Sequence, residues 1–302
     1  MRIVISGATS MIGAALVNRL IGQGNEVIAV VRKDCKKLDN LNMNSRLTIL
    51  NCDMCNYQHL NELINDNIDV AVAMAWNGTR GEQRNCRELQ QDNLKYNINF
   101  LQSVLQLGCK KFLTAGSQAE YGLWTQKEKL KEDIEPHPNT EYGKYKLEFY
   151  KYAKTYCEEH NCTLIEPRFF SLYGPNDFYG TLIMSILKKM LNNEPCDLTE
   201  CIQLWDFLYI DDAIDALCRL IEMRDASDIY NFGSGYSAPL KEYINIMMEV
   251  TQSKSELRYG AVSYPATGIV NVNPNIDRLL ETGWVPKIQF SDGIRGICKE
   301  IH

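Results

Sequence analysis

The sequence predicts an α/β protein, a doubly wound parallel sheet with a smaller C-terminal α+β lobe. Three observations point there. Short β-branched runs alternate with helical patterns through the first two-thirds of the chain, as parallel strands joined by crossover helices require. Most of those runs are apolar throughout and are closed by Gly, Asn or a charge, which fits strands covered by helices on both faces. A glycine-bounded turn, Gly7 to Gly13, joins the first run to the first helical pattern.

Taken in order, Arg2–Ser6 is a strand, and Ile12–Gly22 is a helix with Ile12, Leu16 and Leu20 on one face. Strands follow at Glu26–Val31, Leu47–Asn51 and Asp69–Met74. A long helical pattern covers about Asn85–Leu107, then come the strand Lys111–Ala115, the helix Glu141–His160 and the strand Cys162–Arg168. After Tyr173-Gly174-Pro175 the pattern becomes irregular. Alternation returns at Asp206–Ile210, followed by the helix Asp211–Met223, the strand Ile229–Phe232 and the helix Leu240–Val250. Residues 1–170 with about 205–232 therefore form the sheet domain. Residues 171–204 with 233–302 form a lobe expected over the C-terminal ends of the strands, where open α/β sheets bind ligands.

Composition narrows the function. The chain has 302 residues, 45% hydrophobic and 23% charged, an ordinary globular balance that buries a core without covalent staples. A net charge of −6 argues against nucleic acid or an anionic membrane as partner. No apolar run reaches the ~18 residues of a membrane span. Met1 to Gly7 lacks the apolar stretch and cleavage site of a signal peptide, so a cytoplasmic location is expected. The eleven cysteines are odd in number and scattered through apolar segments, which reads as reduced core thiols. Cys52 and Cys55 form a Cys-x-x-Cys, but His59, His137, His160 and His302 supply no second ligand pair, so no metal is expected.

The first βαβ unit, Arg2 to about Val31, carries the turn Gly7-Ala8-Thr9-Ser10-Met11-Ile12-Gly13. Gly7 permits a tight exit from the strand and Gly13 a close helix–sheet contact. The N–H groups of the helix start face a pyrophosphate. Ser10 stands where the middle glycine of this pattern usually lies. The expected cofactor-binding set is Gly7, Thr9, Ser10, Met11, Ile12, Gly13, Arg32, Asp53, Ala75, Tyr142 and Lys146. The second strand ends Val30-Val31-Arg32-Lys33, with Val31 in the place of the carboxylate that holds an NAD ribose. A 2′-phosphate carries about −1.5 to −2 charges, so Arg32 favours NADP(H) over NAD(H). A solvated Arg-Lys pair leaving a strand gives the same pattern. Asp53 suits a helix cap and an adenine contact equally.

Tyr142-Gly-Lys-Tyr-Lys146 puts a tyrosine and a lysine four apart on one helical face. A nearby ammonium favours phenolate and makes the hydroxyl an acid or base closer to neutrality. Tyr150 and Lys154 match the same spacing, but they lie about 12 Å further along the helix and fit a solvated face or a subunit contact. Ser117, at the end of the strand Lys111–Ala115, offers a hydroxyl to a substrate oxygen.

The glycine turn, Asp53, Asn93, Ser117 with Tyr121-Gly122, Tyr142/Lys146, Arg168 to Pro175 and Asp206-Phe-Leu-Tyr-Ile-Asp-Asp212 stand in a shared order. Asn231-Phe232-Gly233-Ser234-Gly235 and Gly283-Trp284-Val285-Pro286 extend it. In this the chain resembles the nucleotide-sugar epimerases, dehydratases and reductases of the extended short-chain dehydrogenase/reductase family, which use a Rossmann fold. The resemblance implies hydride transfer between a nicotinamide cofactor and a sugar carbon, usually C4. Tyr142 would carry the proton, Lys146 would hold the nicotinamide ribose and Ser117 would bind the sugar oxygen. Asp53 would meet the adenine, and a nucleotide-diphosphate sugar would contact Ser117, Gln118, Ser171 and Trp205. Dehydratases place an acid one or two residues after the position of Ser117, where this chain has Gln118 and Ala119, and Glu120 is out of phase. The 3,5-epimerase/reductases place a Cys at Ala119. Ser171 and Trp205 replace the usual Asn and Arg beside the diphosphate. The Arg168–Pro175 and Trp205–Tyr209 segments are similar to those of reductases of nucleotide-linked 4-keto-6-deoxyhexoses. The expected activity is thus an NADPH-dependent C4 reduction. A C4 epimerase is the alternative, and a non-catalytic NADP-binding subunit conflicts with the intact Ser117/Tyr142/Lys146 set. The helices at Asn85–Leu107 and Glu141–His160 resemble a pair that forms a homodimer interface. Leu89, Tyr96, Phe100, Phe149 and Tyr152 fit that interface or a core.

Overall fold

A computed structural model of the chain describes residues 1–226 and 228–301. Ser227, within the stretch assigned above to the sheet domain, and His302, one of the four histidines, lie outside the described residues. The chain divides into two compact units.

The first unit contains Met1–Gly122, Asp133–Phe169 and Ile214–Tyr230. Its elements in chain order begin with β1 (Arg2–Ser6), α1 (Met11–Gly22), β2 (Glu26–Val31), β3 (Leu47–Asn51), α2 (Leu60–Leu63) and β4 (Val70–Ala73). They continue with α3 (Arg87–Gln106), β5 (Lys111–Thr114), β6 (Gly116–Ser117), α4 (Glu141–Glu159) and β7 (Thr163–Phe169). The valine- and isoleucine-rich β1, β2 and β4 lie side by side inside the sheet, with almost every residue buried on either face. β1 pairs in parallel with β2 on one side (Ile3 opposite Val27) and with β4 on the other (Ile3 opposite Val70). β3, β5, β6 and β7 extend the sheet with further parallel pairs. The direction of winding reverses between β1 and β4, and the crevice for ligands opens outside the carboxyl ends at such a reversal. Phe100 and Phe149, from α3 and α4, are fully buried with Phe112 against one face of the sheet. Leu89, Tyr96 and Tyr152 of the same helices are only half-buried.

The chain continues with β8 (Ser171–Tyr173), α5 (Leu182–Leu191), β9 (Cys196–Asp197), β10 (Leu204–Trp205), β11 (Phe207–Tyr209), α6 (Ile210–Glu222) and β12 (Asp228–Phe232). It ends with β13 (Ala238–Pro239), α7 (Leu240–Thr251), β14 (Leu257–Arg258), α8 (Asp277–Leu280) and α9 (Phe290–Ile301). β12 closes the eight-stranded sheet beside β7, and Lys111 Nζ donates to the carbonyls of Leu220 and Ile221 at the end of α6 at 3.2 and 2.7 Å.

The second unit contains Leu123–Glu132, Phe170–Ala213 and Asn231–His302. Tyr173, Phe207, Tyr243 and Phe290 meet there ring against ring, with centroids 4.8–6.0 Å apart. Asp212 accepts from the N–H groups of Lys287 and Ile288 at 3.0 and 2.8 Å, and Trp284 Nε1 donates to its carbonyl. These bonds fix the Gly283-Trp284-Val285-Pro286 tail.

Three sequence expectations change. Residues 171–204 are not irregular throughout, because α5 buries Ile183, Ile186, Leu187 and Met190 at helical spacing. The run at Asp206–Ile210 shrinks to β11, which pairs in parallel with β8 instead of entering the main sheet, and residues 205–213 belong to the second unit. The long helix begins at Arg87, because Gly81–Asn85 winds as a separate 3₁₀ turn.

All eleven cysteines are free thiols. Cys52 is buried while Cys55 is exposed, so this Cys-x-x-Cys turns its two sulfurs to different surroundings. Among the described residues, no helix is long and apolar enough to cross a membrane.

The second Tyr-x-x-x-Lys pair is divided between core and surface, because Lys154 is exposed and Tyr150 is not. Tyr150 is buried and its hydroxyl bonds Asp228 Oδ1, with Lys154 Nζ 3.6 Å from the same carboxylate. Asp228 adopts a left-handed backbone (φ 71°), so this bond anchors β12 to α4. Tyr150→Phe is expected to cost about 0.5–1.5 kcal/mol in denaturant unfolding and to leave turnover near that of the unaltered chain. A loss of turnover at unchanged stability would move catalytic weight to this pair.

Candidate active site

At the winding reversal, the turn after β1 closes on itself. Ser10 is the N-cap of α1: its Oγ accepts from Gly13 N–H at 3.1 Å and donates to the Gly7 carbonyl at 2.8 Å. Helix and turn approach so closely that a Cβ on Gly13 would lie 2.2 Å from the Gly7 carbonyl oxygen. Only glycine fits. The serine in place of the usual middle glycine thus holds the turn with its side chain. A groove runs along this turn, lined by Gly7, Thr9, Ser10, Val30, Val31, Arg32, Lys37, Met54, Tyr57 and Met74 to Asn77. It has two cations and no carboxylate on its walls and opens at the N-terminus of α1. An anionic dinucleotide meets complementary charge there.

The placement of the individual cofactor candidates differs. Arg32 and Ala75 line the groove, and its second cation is Lys37, which sequence reasoning did not single out. Asp53 accepts from Lys33 N–H at 3.2 Å and makes no side-chain capping bond to the turn it precedes. The adjacent Met54, rather than Asp53, faces the groove.

Ser117, Tyr142 and Lys146 come together in the first unit. α4 starts at Thr140, whose side chain caps Gly143 N–H at 3.1 Å. A Cβ on Gly143 would fall 2.3 Å from the Ala119 carbonyl oxygen. That close approach brings the first turn of α4 onto the 3₁₀ turn Gln118–Glu120 and sets the Tyr142 hydroxyl beside Ser117, which favours its ionised form. Lys146, one turn on, donates to the Ala115 carbonyl at 2.7 Å. Burial pushes the Tyr142 hydroxyl up to about 12, opposed by Ser117. Burial pushes the Lys146 ammonium down to about 8, opposed by the charges of Glu120 and Glu166. Both shifts have the same sign in charge: burial favours the neutral form of each group.

The sequence did not show how several residues of this site come together. Glu120, Glu166 and Arg168 are almost completely buried behind Ser117. Glu120 Oε1 accepts from Ser117 N–H at 2.7 Å, Arg168 Nε donates to Glu166 at 2.9 Å, and Arg168 Nη2 lies 3.2 Å from the Glu120 carboxylate. Burial, then the neighbouring Glu120, pushes Glu166 up, and burial pushes Glu120 up, so this pair holds protons more firmly than ordinary carboxylates. On the other side, Lys146 Nζ lies 3.9 Å from the centre of the Trp76 ring, and Trp76 meets Tyr142 edge-on at 6.3 Å. Gln90, Asn93 and Asn97 of α3, all buried, hold the Trp76 loop. Gln90 accepts from Trp76 Nε1 at 2.7 Å, Asn93 bonds both backbone groups of Asn77, and Asn97 donates to the Ala75 carbonyl. Asn93 enters the sequence reading only through the shared order of residues; three amides at helical spacing, Gln90, Asn93 and Asn97, are the signal that could have found this brace.

Of the substrate candidates, Gln118 is half-buried in the turn after Ser117. Ser171 and Trp205 meet in the second unit, where Trp205 Nε1 donates to Ser171 Oγ at 2.9 Å. In that unit the buried Asp206 accepts from Ser234 and Gly235 N–H groups at 2.7 and 2.9 Å, and burial pushes its carboxyl up to about 6.

Comparison with known proteins agrees with this geometry. CDP-abequose synthase of Salmonella muenchen is 27% identical over 97% of this chain and 96% of its own length. The dTDP-4-dehydro-6-deoxyglucose reductase of Escherichia coli is 28% identical over 70% of this chain and 67% of its own. Among solved structures, a UDP-N-acetylglucosamine 4-epimerase from Methanobrevibacter ruminantium M1 superposes with a TM-score of 0.89 at 20% identity, covering 99% of this chain and 97% of that one. A family model for the NAD dependent epimerase/dehydratase family matches residues 3–233. The chain belongs to that family.

Proposed function

We propose that this enzyme reduces C4 of a nucleotide-diphosphate-linked 4-keto-6-deoxyhexose with NADPH. The observation that carries the reading is the Ser117 turn itself. A proton-donating tyrosine meets a serine hydroxyl there, and Gln118 and Ala119 follow where a dehydratase needs an acid. The site can move a hydride and a proton but lacks the group for eliminating water, so its sugar arrives already dehydrated. The similarity to CDP-abequose synthase and to the dTDP-4-dehydro-6-deoxyglucose reductase supports the same substrate class.

When bound, the nicotinamide cofactor supplies the hydride. Ser117 Oγ, which accepts from Ala119 N–H at 3.2 Å, keeps its proton to donate to the substrate carbonyl oxygen. Tyr142 gives that oxygen its proton. Lys146, charged below about 8, favours the phenolate that remains and would hold the nicotinamide ribose. The Gly7–Gly13 turn would take the pyrophosphate. Asp53 is the adenine contact of the family pattern. Gln118, Ser171 and Trp205 are the substrate contacts, with the indole and hydroxyl of the last two replacing the usual Arg and Asn.

Mixing the enzyme with dTDP-, CDP-, GDP- or UDP-linked 4-keto-6-deoxy sugars and NADPH is expected to consume one NADPH per 6-deoxyhexose formed. Tyr142→Phe should abolish most of that turnover while the fold persists. Interconversion of two 4-hydroxy sugars without net cofactor consumption would make the enzyme a C4 epimerase instead.

Arg32 and Lys37 on the groove wall support NADP(H) over NAD(H). Arg32→Ala should weaken NADPH binding by about tenfold or more, the loss of a charge-assisted contact worth ~1.5–3 kcal/mol, and should leave NADH binding nearly unchanged. Equal use of both cofactors by the unaltered enzyme would contradict the preference.

α3 and α4 also support a homodimer. Phe100 and Phe149 belong to the core, so the contact falls to the half-buried Tyr96 and Tyr152 on the outer faces. Sedimentation should give a dimer, and a monomer independent of concentration would refute it.

A further inference from the structure

Arg84 lies in the 3₁₀ turn Gly81–Asn85, and its guanidinium carbon is 4.9 Å from the centre of the Tyr142 ring. The turn is braced from two sides. Gln90 Nε2, itself fully buried, donates to the carbonyls of Gly78 and Gln83, each at 3.0 Å. Asn85 Oδ1 accepts from the N–H of Glu141, at the start of α4, at 3.2 Å. Arg84 is therefore held beside Tyr142 by backbone on both flanks. Its side chain has no carboxylate partner and donates no hydrogen bond among the described residues. The nearby Glu141 carboxylate pairs instead with Lys144 at 2.7 Å.

We infer that Arg84 is a positioning residue for the reaction, a permanent cation against the Tyr142 ring that stabilises the phenolate left when the proton departs. The inference rests on the proposed role of Tyr142 as proton donor. A phenolate spreads its charge into the ring, so a cation near the ring face attracts it more strongly than the neutral phenol. Arginine suits the task because it keeps its charge across the whole working pH range. The charged and titratable groups around Tyr142 are Arg84 from the 3₁₀ turn, Glu120 and Ser117 from the turn opposite, and Lys146 on its own helix. Arg84 and Ser117 favour ionisation, whereas burial and Glu120 oppose it. Without Arg84, Tyr142 would hold its proton to higher pH and release it less readily.

Two variants separate charge from shape: Arg84→Met keeps the stem and removes the charge, and Arg84→Lys retains a cation. With ¹³Cζ-labelled tyrosine, the Tyr142 resonance is identified by its disappearance in Tyr142→Phe, and its alkaline titration is followed in each variant. Arg84→Met should displace that titration upward by about half to one pH unit, and Arg84→Lys should restore much of it. Turnover of dTDP-4-keto-6-deoxyglucose with NADPH should fall by up to about tenfold in Arg84→Met, with the alkaline limb of its pH profile displaced upward. An unmoved titration with a raised KM alone would overturn the inference and make Arg84 a substrate contact. Failure of the unaltered enzyme to use any 4-keto sugar would count against the reductase reading, while the tyrosine titration, which needs no substrate, would still decide the role of Arg84.

Discussion

The buried bond between Ser117 N–H and the Glu120 carboxylate is the constraint on which the site geometry depends. A carboxylate removed from water is tolerable only if its oxygens are paired and opposite charge is near. Glu120 meets that condition in part: Oε1 accepts from Ser117 N–H, Oε2 has no hydrogen bond and only the charge of Arg168 Nη2 beside it, and Arg168 is in turn held by Glu166. Burial works against the charge of Arg168, but the two carboxylates more than offset it and raise its affinity for the proton. The pairing fixes β6 and the turn after it. That turn then offers the Ala119 carbonyl against which Gly143, and so the first turn of α4, is fitted. Ser117 and Tyr142 are aligned by this chain of contacts rather than by any single bond between them.

The same cluster acts on Lys146 at longer range. An ammonium this deeply buried tends to lose its proton, yet the negative charge of Glu120 and Glu166 counters that tendency. Trp76 adds a second device, since its ring face lies against the ammonium and attracts it without contributing a full negative charge. The enzyme thus keeps a usable cation one helical turn from Tyr142 with no acid in the position where a dehydratase has one. The acid that is present, Glu120, points into the protein and serves structure and field.

Much of the fold was legible because it rests on local pattern. β1 to β5 and β7 are short apolar runs with clear ends, and α1, α3 and α4 show apolar faces at helical spacing. The Ser117/Tyr142/Lys146 set was legible for a related reason, since two of its members are fixed by spacing on one helix. The burial and pairing of Glu120, Glu166 and Arg168 were not, because a charge in a sequence does not reveal its partners, and those of Glu120 lie 46 and 48 residues downstream. Trp76 and Arg84 sit in a loop without periodicity, and their meaning comes from α3 and α4. The helix α5 was missed although its pattern is present, because the proline and glycine segment before it suggested irregular chain. β11 was grouped with the sheet domain because strand propensity says nothing about which partner a strand will find.

Tyr142 ends up between charges of opposite sign that come from different parts of the chain: Arg84 on a braced turn after β4, and Glu120 on the turn after β6. Neither belongs to the helix that carries the tyrosine, so the Tyr-x-x-x-Lys spacing alone does not determine how acidic its hydroxyl is. Tyr150 makes the point by contrast. It has the same spacing to a lysine on the same helix, but its hydroxyl bonds an aspartate, and burial together with that bond raises its proton affinity further. Two identical local patterns thus yield one tyrosine set beside a serine in the first unit and another locked into a strand anchor. Residues distant in the chain, and not the local spacing, set the field around each hydroxyl.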